Sequence, residues 1–329
     1  MGEDSRRTFL VVAGVLLVAP CSAIAQRQPP KIARIGFLGA ASASTYVAPW
    51  EAFKAGLRDL GYVEGKNIEF EIRWAEGRND RLSKLAAELV RRKVDVIVTH
   101  GTEGTLAAKQ ITKTIPIVSV AMADPVASGI VESFARPGAN VTGVAILSNE
   151  LYVKRLALLK EALPHIRRVG FLMNPDNPVY EAIFQSTKTA ATSLGVELQR
   201  FDVRGANELN GVFAAMAKAR VDAVEITEDS SWFSIAISIA DLATKQRLPS
   251  VSGNQFTGAG VLVGYGVSRL HNYRRAAGFV DKILRGAKAG DLPIEQPTEF
   301  ELVINGKTAK ALGITIPKEL LLRVDRVIE

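Results

Sequence analysis

Ile32-Ala33-Arg34-Ile35-Gly36-Phe37-Leu38 and, much later, Arg168-Val169-Gly170-Phe171-Leu172-Met173 are two versions of one pattern, a short apolar run with a central glycine. Runs of this length bounded by longer segments at helical spacing are buried strands rather than helices. After the first run, residues 50–60 have helical spacing and stop at Gly61. Residues 68–74 alternate apolar and charged side chains, as a half-exposed edge strand does. A second amphipathic helix is expected at 81–92, a continuous apolar strand at 94–99, a helix at 102–111 and a strand at 117–120. Strands separated by helices in this order indicate right-handed βαβ units and a mainly parallel sheet.

The order restarts at Arg168. Helix 179–194 is closed by Gly195, strand 196–201 follows, then helix 208–219, strand 223–227, helix 231–246 and a short strand at 249–251. A long helix at 150–163, ended by Pro164, separates the two series. A glycine-rich strand at 260–268, a helix at 269–284, a strand at 300–304 and a helix at 307–312 need a sheet to join, so the chain is expected to cross between units more than once. The expectation is an α/β fold of two Rossmann-like lobes with parallel sheets. Residues 32–147 with 262–288 form the first lobe, and 148–261 with 289–329 the second.

The first 25 residues read as a signal peptide. Ser5-Arg6-Arg7-Thr8-Phe9-Leu10 places paired arginines before an apolar run that ends at Ala19. That run is too short to span a bilayer, which needs about 20 residues. Ala23-Ile24-Ala25 supplies the small-x-small cleavage pattern, and the arginine pair has the twin-arginine form. An ordinary secretory signal, or a lipid anchor at Cys21, is the alternative. Residues 26–31, with Pro29-Pro30, are a leader. Cys21 is the only cysteine, so cleavage after Ala25 leaves no disulfide and no thiol chemistry. The net charge of +7 is spread over helices beside acidic residues, as in Glu88-Leu89-Val90-Arg91-Arg92-Lys93, which is a solvated face and not a nucleic-acid patch.

Ligands of open parallel sheets bind outside the carboxyl ends of the strands, beside helix N-termini. Six loops qualify, three per lobe. In the first lobe, 39–46 offers Ser42, Ser44, Thr45 and Tyr46; 100–102 offers Gly101 and Thr102 at a helix start; 121–125 offers Asp124. In the second, 174–178 offers Asn174, 228–230 offers Asp229 and Ser230, and 252–256 offers Asn254 and Phe256, with Trp232 close by. Free N–H groups and the helix dipole at Gly101 and Thr102, with the hydroxyls of Ser42, Ser44 and Thr102, suit a carboxylate. Asp124 and Asp229 suit an ammonium, and Tyr46, Trp232 and Phe256 an apolar or aromatic body. Each loop is equally a plain cap or turn; Asp124 followed by Pro125 has the form of a helix cap.

Catalytic and cofactor signatures are missing. His100, His165 and His271 lack metal-ligand spacing, and there is no nucleophile elbow, P-loop or dinucleotide fingerprint. Gly264-Tyr265-Gly266 lacks the third glycine.

The chain resembles the solute-binding proteins of an ABC-transporter family with tryptophan-binding members. The matching stretches are Ile35-Gly36-Phe37-Leu38, Gly61-Tyr62-Val63-Glu64-Gly65-Lys66-Asn67, Arg73-Trp74-Ala75-Glu76-Gly77, Asp124-Pro125-Val126, Pro137-Gly138-Ala139-Asn140-Val141-Thr142-Gly143, Asn174-Pro175, Phe300-Glu301-Leu302-Val303-Ile304-Asn305 and Lys307-Thr308-Ala309-Lys310. The resemblance implies a type I periplasmic binding fold with a hinged cleft. It implies a receptor that hands an amino acid-like or aromatic carboxylate to a permease, with no metal, no cofactor and no catalysis. A periplasmic sensor shares the fold and is the alternative, with a nucleotide-dependent two-domain enzyme behind it. Mass spectrometry of the exported protein tests the leader. The expected N-terminus is Gln26; a chain that keeps residues 1–25, or a lipid on Cys21, contradicts cleavage after Ala25.

Overall fold

A computed structural model describes residues 32–146 and 148–329; the expected signal segment 1–25 and leader 26–31 lie outside the described residues. The first series runs β1 (Ala33–Gly39), α1 (Val47–Asp59), β2 (Ile68–Trp74), α2 (Leu82–Arg91), β3 (Val96–Thr99), α3 (Gly101–Ile111), β4 (Ile117–Ala123) and β5 (Val141–Ile146). Its strands form one sheet in the order β2-β1-β3-β4-β5, parallel throughout. Successive residues of β1 face opposite sides. Ile35 and Phe37 join a core with α1, and Leu38 joins one with α2 and α3. Both faces are covered, which is why β1 and β3 read as unbroken apolar runs instead of alternating ones.

The second series begins with α4 (Ser148–Ala162) and β6 (Arg168–Met173), then α5 (Val179–Ser193), β7 (Glu197–Asp202), α6 (Leu209–Lys218), β8 (Ala223–Ile226), α7 (Ala236–Lys245), β9 (Ser250–Ser252) and β10 (Val263–Gly266). After α8 (Arg269–Leu284) come β11 (Glu301–Asn305), α9 (Gly306–Leu312), α10 (Lys318–Leu321) and β12 (Arg326–Ile328). The order of this sheet is β7-β6-β8-β9-β10-β11-β12, so its first five strands repeat the winding of the first sheet. β11 runs antiparallel to β10, and the rest pair in parallel.

The ends of the chain are shared out differently from the expected boundaries. β10 lies in the second sheet, between β9 and β11, although 262–268 was expected in the first lobe. Gly264 lets the preceding turn lie directly on the strand: a Cβ there would stand 2.4 Å from Thr257 and 2.7 Å from the Asn254 backbone. α8 packs on α1 in the first core, and Ala289 beyond it joins the same core. The Glu295 amide donates to Gly143, and its carbonyl accepts from Ala145, at 2.9 Å each, so the return to the second sheet falls after Glu295. β5 was not expected as a strand, because its mixed glycine and threonine residues have no clear period. The expected helix 231–246 is two elements: Asp229 caps a tight turn over Ser230–Ser234, and α7 starts at Ala236.

α8 is held to the first lobe through Gly56 of α1. A Cβ on Gly56 would lie 2.8 Å from both the Ala277 Cβ and the Arg274 carbonyl, so the helices touch backbone to backbone. Gly56→Val should therefore cost about 1–3 kcal/mol by overpacking. Gly211 lies in the first turn of α6 with nothing near its missing Cβ. Gly211→Ala should gain up to about 0.5 kcal/mol from helix propensity alone. Urea unfolding of both variants checks the pair; equal effects would mean that the α1–α8 contact is loose.

Candidate functional site

In both sheets the winding reverses beside the first strand, so the carboxyl ends of β1 and β3 in one lobe, and of β6 and β8 in the other, flank a switch point. The two switch points face each other. Glu103, in the first turn of α3 after β3, bonds only to residues of the opposite lobe among its side-chain partners. Its Oε1 accepts from Asn177 Nδ2 at 2.6 Å and its Oε2 from Ser230 Oγ at 3.2 Å. Asn177 Nδ2 also donates to Asp229 Oδ2 at 3.3 Å, so one amide nitrogen serves two carboxylates from two lobes. Asp229 is fully buried, and its Oδ1 accepts from the Ser231 amide at 3.1 Å and from the Ser231 hydroxyl. Burial, then the neighbouring Asp229, pushes the Glu103 carboxyl well above the usual range.

Gly101 makes this approach possible. Its φ is +86°, and a Cβ would sit 2.8 Å from Ser230 Oγ and 3.1 Å from Glu103 Oε2. Any side chain there is strained and also wedges the lobes apart. With the lobes in contact, the enclosed cavity is about 50 Å³, room for a few water molecules. A ligand of amino acid size needs more room than the lobes leave in this arrangement.

The cavity has three kinds of wall. One end is acidic, with Glu103, Asn177 and Ser230 on its lining. Tyr152, Tyr180, Ile183 and Phe233 supply apolar and aromatic surface. The third wall holds Arg269, at the first position of α8, with His100 and Asn272. The Arg269 guanidinium lies 4.6 Å from the Tyr46 ring centre and 4.2 Å from that of Phe233, a cation sandwiched between aromatic faces. Its Nη1 donates to the Thr45 carbonyl at 3.2 Å, whereas its buried Nε and Nη2 have no hydrogen-bond partner. Around it His100 Nδ1 and Asn272 Oδ1, both of residues on the cavity lining, are also buried and unpartnered, while the Tyr46 and Tyr273 hydroxyls lie behind the lining, Tyr46 beside the Ala40 and Ala41 backbone and Tyr273 beside Arg269. Burial, then the charge of Arg269, holds the His100 imidazole well below its usual pKa, so it is neutral. Burial raises the Tyr46 and Tyr273 phenols, which stay protonated.

Arg155 of α4 braces the second-lobe side. Fully buried, it donates to the Tyr265 carbonyl at 2.7 Å and to Glu228, and stands 4.9 Å from the Tyr152 ring centre. Glu228 also accepts from Gln255, and its amide donates to the Tyr152 hydroxyl at 3.0 Å. The charge of Glu228 is thus neutralised within its own lobe.

Of the residues singled out in the sequence, Gly101, Thr102 and Ser230 line the cavity, and Asp229 stands directly behind it. Thr102 is anchored, its hydroxyl accepting from the Ala123 amide at 3.1 Å. The others serve elsewhere. Ser42 and Ser44 pair with each other at 3.0 Å, and the Thr45 hydroxyl donates to the Ser42 carbonyl, so that loop closes on itself. Asp124 accepts from the Ala127 amide at 3.1 Å and is a turn cap, not an ammonium partner. Asn174 accepts from the Asp176 amide in its own turn. Asn254 donates to Glu301 at 3.0 Å, outside the cavity. Trp232 and Phe256 are core side chains of the second lobe, and Tyr46 packs in the first, behind Arg269. They follow strands in the sequence, but the last turn of each loop folds them back onto their own sheet.

Sequence reasoning missed Glu103, Tyr152, Asn177, Tyr180, Phe233 and Arg269. Asn177 belonged to a loop already singled out, and Glu103 lies three residues past His100, where an acid is ordinarily read as a helix-dipole partner. Arg269 follows β10, one more strand-to-helix loop, but only the crossing of α8 to the other lobe brings it into the cleft.

The comparisons with known proteins agree with this architecture. The family model described as ABC transporter substrate binding protein matches residues 40–328. A tyrosine-binding protein of Clostridioides difficile is 26% identical over 266 residues, covering 80% of this chain and 76% of the relative. A crystal structure of a conserved domain protein from Vibrio cholerae superposes with a TM-score of 0.85 at 28% identity, covering 90% of this chain and all of that one. The ABC domain in complex with L-Trp from Streptococcus pneumonia superposes with a TM-score of 0.83 at 24% identity, covering 90% of this chain and 99% of that one. Two doubly wound lobes around a cleft are the type I periplasmic binding fold. The chain belongs to the ABC transporter substrate-binding protein family.

Proposed function

We propose that this substrate-binding protein receives the zwitterion of an aromatic α-amino acid in the interlobe cavity and presents it, lobes closed, to its permease. The observation that carries this reading is the ring of buried, unpartnered polar atoms around Arg269. Buried polar groups are almost always satisfied, and a ligand carboxylate satisfies several of these at once. Arg269 Nε and Nη2 donate to it from the cavity lining, with the His100 imidazole beside them. The N-terminus of α3 at Gly101 and Thr102 adds dipole and backbone donors. At the acidic end Glu103 and Asp229 meet the ammonium. Tyr152, Tyr180 and Phe233 pack on an aromatic side chain.

The tyrosine-binding relative supports the ligand class. The absence of catalytic signatures in the sequence supports a receptor without chemistry of its own. Ser5-Arg6-Arg7-Thr8-Phe9-Leu10 and Ala23-Ile24-Ala25 support export to the periplasm by the twin-arginine route. The dispersed charge supports a protein that takes no nucleic acid.

Calorimetric titration with L-tyrosine and L-tryptophan tests the ligand. Losing hydrogen bonds to a charged group costs about 1.5–3 kcal/mol, roughly tenfold or more in affinity. Arg269→Gln should weaken binding by at least that factor, with the loss of its stacking on Tyr46 and Phe233 read separately from the unfolding transition of the free protein. Unaltered affinity in the variant removes Arg269 from the site. No binding of any aromatic amino acid to the wild-type chain overturns the ligand class.

A further inference from the structure

We infer that Glu103 and Asp229 share a single proton when the lobes close without a cation, and that a ligand ammonium takes the place of that proton. The geometry requires some such particle. Both carboxylates are buried, they come from opposite lobes, and they hang on the same amide nitrogen of Asn177. Two carboxylates brought together out of water cannot both stay ionised without a compensating charge. Among the described residues neither is in an ion pair. The charged and titratable groups facing them do not supply the cation. Glu228 is negative and already bound to Arg155. Tyr152 and Tyr180 are phenols that burial keeps protonated. His100 is neutral. Arg269 stacks between Tyr46 and Phe233 at the other end of the cavity.

With the lobes apart Glu103 is no longer held against Asp229, and a carboxylate in water is ionised at neutral pH. Closure without a cation therefore takes up one proton from solvent, and it is favoured as pH falls toward the open-state values. Closure on an ammonium takes up none. This rests on the proposed amino-acid reading only for the identity of the cation; the proton itself does not depend on it. The consequence is selectivity set by pH. At neutral pH the pair favours the amino acid over its deaminated analogue, because the analogue must recruit a proton. Each unit of acidification narrows that advantage about tenfold, the linkage of one proton.

Two measurements decide it. Small-angle scattering of the free protein should show a more compact particle at pH 5 than at pH 8. Glu103→Gln, which carries the extra hydrogen permanently, should show no such change between the two pH values. Asp229→Asn should likewise lose the dependence from the other lobe. An identical pH response in wild type and both variants, or none in wild type, overturns the shared proton. Calorimetry in buffers of different ionisation enthalpy then compares L-tyrosine with 3-(4-hydroxyphenyl)propanoate. The deaminated acid should bind with uptake of about one proton at pH 7, and L-tyrosine with none. A selectivity that is the same at pH 5 and pH 8 overturns the exchange of ammonium for proton. If neither compound binds while scattering shows the Glu103-dependent compaction, the proton stands and the aromatic amino-acid reading falls.

Discussion

The contact of Glu103 with Asn177 and Ser230 is the constraint on which the closed molecule turns. A carboxylate on one lobe finds its side-chain donors on the other, and the hydrogen bonds exist only when the lobes meet. Left on its own in a dry cleft, that carboxylate carries a large desolvation cost. The site is therefore a place where closure and charge are settled together. Gly101 beneath it is a glycine because the opposing serine occupies the volume of a Cβ.

The two ends of the cavity are built on different principles. The acidic end is assembled from short loops at the switch points, so each polar atom is fixed by the strand it follows. The cationic end depends on a long excursion. The chain leaves β10 in the second sheet, crosses, and runs α8 along α1 in the first lobe. Arg269 stands at that crossing, gripped by Tyr46 from one lobe and Phe233 from the other. A guanidinium at a crossing point senses both lobes, while one in a strand-end loop would belong to a single lobe.

Arg155 and Glu228 show why the second lobe brings a prepared surface to the cleft. The buried pair, the Gln255 amide and the Tyr152 hydroxyl form one bonded group under the aromatic wall. Removing one partner of such a pair leaves an uncompensated buried charge, which costs about 3–5 kcal/mol. Tyr152 is thereby held against the cavity before any ligand arrives, and its ordering cost falls on folding instead of on binding.

The sequence determined the repeated α/β series, the two sheets and the set of loops that could carry a ligand. These follow from periodicity, which is local: an apolar run of six or seven residues such as 32–38 or 168–173 is a strand wherever it lies. It also placed Gly101, Thr102, Asp229 and Ser230 beside the cleft, because strand ends and helix starts are local features too. The tertiary structure alone decided which lobe receives β10 and α8, for that depends on the pairing of β10 with β11 and on the close approach of Gly56 to Ala277, between segments far apart in the chain. It alone turned Trp232 and Phe256 inward and brought Tyr152, Tyr180 and Phe233 to the cavity, since a loop's neighbours fix the direction of its side chains. It alone joined Glu103 to Asp229 and set Arg269 opposite them. A contact between two lobes leaves no period in either, so no window along the sequence can contain it.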